Sequence, residues 1–242
     1  MKQATGTGPE ADGNPRRDPC GGGALADAMR ERTRALHAEA ERSGIIAQIL
    51  RQRADIRGYA LLLRNLLPVY RELERGLWRH RLVAPLDALC QPAVFRAASM
   101  ERDLAILAGR GWEQELPPLT AGERYAARVA QAAADTGVRL IAHVYVRYLG
   151  DLNGGQVLRA LLAQALGLEE QVLSFYAFPE IQDLPSFKVA YRGAINTAGL
   201  AVRDCGALVE EAAVGFELSI ALSEAVQSAV LDHGCPNGPG NA

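Results

Sequence analysis

The sequence predicts an all-α single domain, and three observations carry that prediction. Apolar residues recur at helical spacing through nearly all of residues 24–232. Glycine, proline and capping residues punctuate those stretches where helices begin and end. The one segment of strand-like composition, "VLSFYAF", is too short and isolated to make a sheet and reads as a loop. A chain of 242 residues is long enough for one sizeable core.

The elements follow in order. Residues 1–23 are rich in Gly, Pro and charge and read as a disordered tail, as does "HGCPNGPGNA" at 233–242. A first helix is expected from Ala24 to Arg42, ending near Gly44. A second runs from Asp55, a good N-cap, to Arg79, and Pro68 should kink it. A third lies between Pro92 and Gly109. After the Pro117–Pro118 stop, Thr120 and Glu123 stand in capping-box spacing and launch a fourth. The fifth extends from Val138 to Leu166, before Gly167. Two more cover Ser186–Ala198 and Ala207–Leu231.

Composition narrows the function classes. A net charge of −2 with 22% charged and 49% hydrophobic residues is ordinary for a soluble protein, and it predicts neither a nucleic-acid partner nor a membrane partner. Functional positive charge must therefore be local. The four cysteines are scattered without a C-x-x-C pair, a poor disulfide framework and a poor zinc site that fits a reducing, cytoplasmic setting. The N-terminus lacks a signal-peptide core, and no run approaches the roughly 18 apolar residues of a membrane span.

The stretch "HVYVRYLGDLNGGQVLRALL" raises the sharpest question, because Gly150, Gly154 and Gly155 interrupt a good helix. Each costs about 1 kcal/mol relative to alanine in a helix interior. Three uses fit: close packing of another helix, close approach to a flat cofactor, or a loop that divides the helix. Asp151 and Asn153 add polar groups able to hold ordered water. On the first helix Glu41 follows His37 at i+4, the spacing at which a carboxylate orients an imidazole ligand, although a solvated surface pair is the commoner use of that spacing. His143, two turns before Gly150, reads as a surface or hydrogen-bonded core histidine, and His80 and His233 have no companions. Lys188 and Arg192 share a helical face and can receive two carboxylates of a ligand, or be a solvated face. Together these residues supply an axial imidazole, a bare surface for a flat ring, water-holding groups and cations. That combination describes a haem site.

The same residues carry a family resemblance. "YVRYLGDLNGGQVL" strongly resembles the signature of the haem oxygenases, "LHAEAE" is similar to their proximal-histidine segment, and "FKVAYR" follows in the right order. The likeness covers roughly residues 24–230. It implies that His37 is the axial iron ligand, with Glu41 as its hydrogen-bonding partner. It implies that Gly150, Gly154 and Gly155 form a kinked helix lying over the haem, and that Asp151 and Arg147 organise a distal water network. Tyr145, Lys188 and Arg192, with Arg30 nearby, match residues contacting the propionates, and Phe216 matches a pocket wall. Asn153 departs from the usual serine, and Ser219 and Ser223 stand where well-known members carry Asn and Phe. The implied reaction opens haem to biliverdin, carbon monoxide and ferrous iron, with haem as substrate and cofactor and O2 as oxidant. No flavin or iron–sulfur motif is present, so electrons are expected from an external reductase or ferredoxin. The alternative is a haem-binding or sensing protein of the same fold without turnover.

Overall fold

A computed structural model describes residues 24–234, and these form helices and connecting loops without a strand. The expected tails at 1–23 and 235–242 lie outside the described residues, while 233 and 234 continue the last helix. The helices are α1 (Leu25–Ala40), α2 (Gly44–Leu50), α3 (Ile56–Arg79), α4 (Ala97–Leu107), α5 (Trp112–Glu115) and α6 (Thr120–Ala132). They continue with α7 (Leu140–Val144), a π-helical turn (Tyr145–Leu149), α8 (Gly150–Leu166), α9 (Leu184–Leu200) and α10 (Cys205–Gly234). The "VLSFYAF" segment lies mostly in a 3-10 helix, Glu170–Tyr176.

The centre is α3, which packs on α4 and α6, while α10 runs against α1, α2, α6 and α7. Asp55 caps α3 as expected, accepting from Gly58 N at 2.7 Å. Pro68 does not end the helix: Leu66, Leu67, Val69 and Tyr70 on either side of it are all buried. Burial on both flanks outweighs the one backbone donor that proline removes.

One local expectation is corrected, and one element was not anticipated. The capping box at Thr120 does not form; Leu119 is the N-cap, and its N–H donates to Asn65 Oδ1 on α3 at 2.6 Å. The buried Asn65 amide also donates to Leu61 O and Pro117 O, so one α3 side chain ties down the entry to α6. Asn65→Ala is expected to lower stability by about 1–3 kcal/mol, because it leaves buried backbone groups unpaired; urea denaturation measures it. The short helix α2 was also hidden, since seven residues give no readable period. It is held end-on to α10: Gly44 adopts φ +57°, and a Cβ there would lie 2.2 Å from the Ser223 carbonyl carbon. Ser223 Oγ donates to Ser43 O at 3.0 Å and accepts from Ile46 N at 3.1 Å.

Candidate active site

The expected fifth helix is a composite of α7, the π-helical turn and α8. The π turn inserts an extra residue into the backbone ladder, the local device by which a helix bends or re-aims side chains. It lies immediately before the glycines rather than on them. Gly150 has ordinary helical angles, φ −59° and ψ −51°, so its lack of a side chain serves something other than backbone freedom. The loop reading of "GDLNGG" is therefore excluded.

Around Gly150 and Gly154 a Cβ would meet nothing within 4 Å, which also excludes helix-on-helix packing at this pair. The two glycines face a cleft of ≈ 300 Å³. His37, from α1, lines it, as do Phe216 and the cation-bearing Arg30 and Arg192 with Tyr145. The His37 ring stands 5.7 Å from the Phe216 ring, centroid to centroid. Its Nδ1 is 3.5 Å from Glu41 Oε1, and both side chains are more than half exposed, at 61% and 57%. With Nδ1 turned to the carboxylate, Nε2 is the nitrogen left to bind a ligand.

Gly155 behaves differently. A Cβ there would lie 2.8 Å from Tyr176 Cδ1, so this glycine makes room for the Tyr176 ring and does not face the outer cleft. The contrast gives a prediction. Gly154→Ala should raise the stability of the ligand-free protein by about 1 kcal/mol, the helix-propensity gain, while Gly155→Ala should lower it by pressing on Tyr176. Paired urea melts decide it.

Behind the cleft is a smaller, more enclosed chamber of ≈ 150 Å³, sharing Val146, Gly150 and Phe216 with it. Arg147, Asp151, Ser219 and Ser223 supply its polar lining, among leucines. Arg147 Nε donates to the Tyr70 hydroxyl at 3.0 Å, its Nη2 is 3.6 Å from Asp151 Oδ1, and Nη1 donates to Ser219 Oγ at 3.4 Å. The Tyr70 hydroxyl donates to Asp151 Oδ2. Burial raises the Asp151 pKa to about 6, with the Arg147 charge and the Tyr70 hydrogen bond pulling back against it. Burial also holds Tyr70 well above the usual phenol range, so it stays a donor.

Sequence reasoning missed Tyr70, since one tyrosine among the leucines of α3 reads as core. Nothing in its spacing announces that its hydroxyl meets Asp151, 81 positions away. Lys188 is half-buried on α9 and lines neither chamber, unlike Arg192 one turn on. Arg192 itself is ion-paired with Asp27 of α1. His143 is fully buried with Nε2 3.0 Å from Glu211 Oε1, a hydrogen-bonded core histidine. Burial pushes the Glu211 pKa up, but hydrogen bonds from His143 and Arg128 outweigh it and bring it down to about 2.

Fold and site together define a class: helical proteins with a cleft lined by an imidazole-bearing helix and by a bare helical face. Comparison with known proteins narrows it. The family model "Heme oxygenase" matches residues 23–225. "Heme oxygenase 1" of Synechocystis sp. is 34% identical over 196 residues, 81% of this chain and 82% of that protein. "Heme oxygenase 1" of Pongo abelii is 33% identical, over 86% of this chain and 73% of its own. Among solved structures, haem oxygenase-1 from Synechocystis sp. in complex with haem superposes with a TM-score of 0.81 at 32% identity, covering 87% of this chain and 95% of that one. Haem oxygenase from Leptospira interrogans gives 0.78 at 32% identity, covering 83% and 98%. The chain belongs to the haem oxygenase family.

Proposed function

We propose that this protein cleaves haem oxidatively to biliverdin, carbon monoxide and ferrous iron, in the cleft between α1 and the composite helix. The carrying observation is the pair of open glycine faces, Gly150 and Gly154, across a cleft also lined by His37. A flat macrocycle fits there because its plane needs backbone on one side and a nitrogen ligand on the other, and side chains at 150 and 154 would fill that space. Haem, when bound, supplies both the iron that activates O2 and the carbon skeleton that is opened.

His37 would hold the iron through Nε2, with Glu41, 3.5 Å from Nδ1, fixing the orientation of the ring. Gly150 and Gly154 leave open the space on the facing helix that a flat ring would occupy. Arg30, Arg192 and Tyr145 line the same cleft and would hold the propionates. Lys188 adds charge from the same face of α9. Arg147 and Tyr70 hold the Asp151 carboxylate, which retains lone pairs to order water in the inner chamber and pass a proton toward the cleft. Electrons come from an external reductase or ferredoxin. We place the protein in the reducing cytoplasm, which suits the free thiols Cys90 and Cys205. Among the described residues no helix is long and apolar enough to cross a membrane.

The test is to mix the purified protein with hemin and an electron donor in air and identify the pigment. Decay of the Soret band with appearance of a bilin supports the reading. Stable haem binding without consumption overturns it.

A further inference from the structure

We propose that residues 78–84, the C-terminal end of α3 and the turn that follows it, are a docking surface for an anionic lipid bilayer. Nine large hydrophobic side chains are exposed among the described residues, and three of them fall within six positions: Trp78 (52%), Leu82 (84%) and Val83 (58%). The other six stand singly along the chain, which is usual and needs no explanation; a cluster does.

The cluster is built onto a firm base. The Arg81 guanidinium lies 4.6 Å over the Trp78 ring, and its Nη1 donates to Trp78 O at 2.7 Å. Val83 N donates to His80 O at 3.0 Å, and His80 Nε2 lies 3.0 Å from Ala133 O. Leu77 and Leu86, at either end, are buried in the core. The indole, at the end of α3, and the two aliphatic tips, on the anchored turn after it, are thus presented to solvent.

Charge selects the occupant. The segment "LWRHRLVAPL", residues 77–86, contains Arg79, His80 and Arg81 and no carboxylate, with Asp87 the first to follow. Arg79 and Arg81 are exposed, whereas Arg75 one turn earlier is neutralised by Glu72. A symmetric second copy would bring these arginines against their own counterparts, an unfavourable pairing. A lipid surface meets every group with its complement: phosphates for the guanidinia, the headgroup boundary for the indole, acyl chains for Leu82 and Val83. The net charge of −2 and the absence of a long apolar run, which led the sequence to predict no membrane partner, do not bear on a local patch of this kind. The proposal stands apart from the haem chemistry of the cleft.

The experiment uses the full-length protein with neutral phosphatidylcholine vesicles and with vesicles containing phosphatidylglycerol. Co-sedimentation gives affinity, and tryptophan emission locates the contact, because the other indole, Trp112, is buried. Binding to the anionic vesicles is expected about thirtyfold tighter than to neutral ones, from ~1 kcal/mol for each of two arginines near an anionic surface. It should weaken with salt and shift emission to the blue. Arg79→Gln with Arg81→Gln should erase the preference for anionic lipid, and Trp78→Ser with Leu82→Ser should abolish binding while circular dichroism stays unchanged. Equal affinity for the two vesicle types, no binding, or full binding by the Trp78–Leu82 double variant would each overturn the proposal. So would a dimer in solution that Leu82→Ser dissolves.

Discussion

His37→Ala is expected to abolish bilin formation and leave folding intact. The side chain is 61% exposed in the ligand-free protein, so its removal should change apoprotein stability by no more than about 0.5 kcal/mol. The haem complex of the variant should lose the spectrum of a histidine-bound iron, and added imidazole should restore part of both spectrum and turnover. Rescue separates a ligand from a structural residue, which no small molecule would replace. A variant with an unaltered spectrum would remove His37 from the site. Glu41→Gln preserves shape and loses charge, and should lower activity by about ten- to a hundredfold through the imidazole it orients.

Asp151→Asn should lower the rate of ring opening by about a hundredfold or more while haem still binds. The carboxylate is buried, held by Tyr70 and Arg147, and titrates at about 6 rather than near 4. Its ionised form is the one that accepts hydrogen bonds from ordered water, so the wild-type rate should fall as the pH drops through about 6. That limb should be missing in Asp151→Asn. Stability moves the other way. Asp151 holds its proton more tightly folded than unfolded, so its contribution to folding is complete below pH ~4 and is withdrawn as the pH rises through about 6. Single-turnover rates and urea midpoints measured across pH 4 to 8 test both. A flat rate profile in the wild type would remove Asp151 from the proton path.

The sequence by itself determined the helical class and most helix positions, because burial of an apolar stripe leaves a 3.6-residue period that can be read without coordinates. It also brought His37, Glu41, Gly150, Asp151 and Gly154 forward, since i,i+4 spacing and glycines inside a helix are local signals. The resemblance to a family then supplied what the residues would do together. It could not separate Gly154 from Gly155. Adjacent residues point about 100° apart on a helix, and only packing shows that one faces open space while the other accommodates Tyr176. The π-helical turn was equally hidden, as one extra residue in a ladder leaves no compositional mark. So were the Asn65 hydrogen bond that receives α6 and the Tyr70–Asp151–Arg147 cluster, each joining residues more than 50 positions apart. Which helices form is set by their own residues. Which side chains meet, and what chemistry the meeting allows, is decided when distant helices bury their faces against one another.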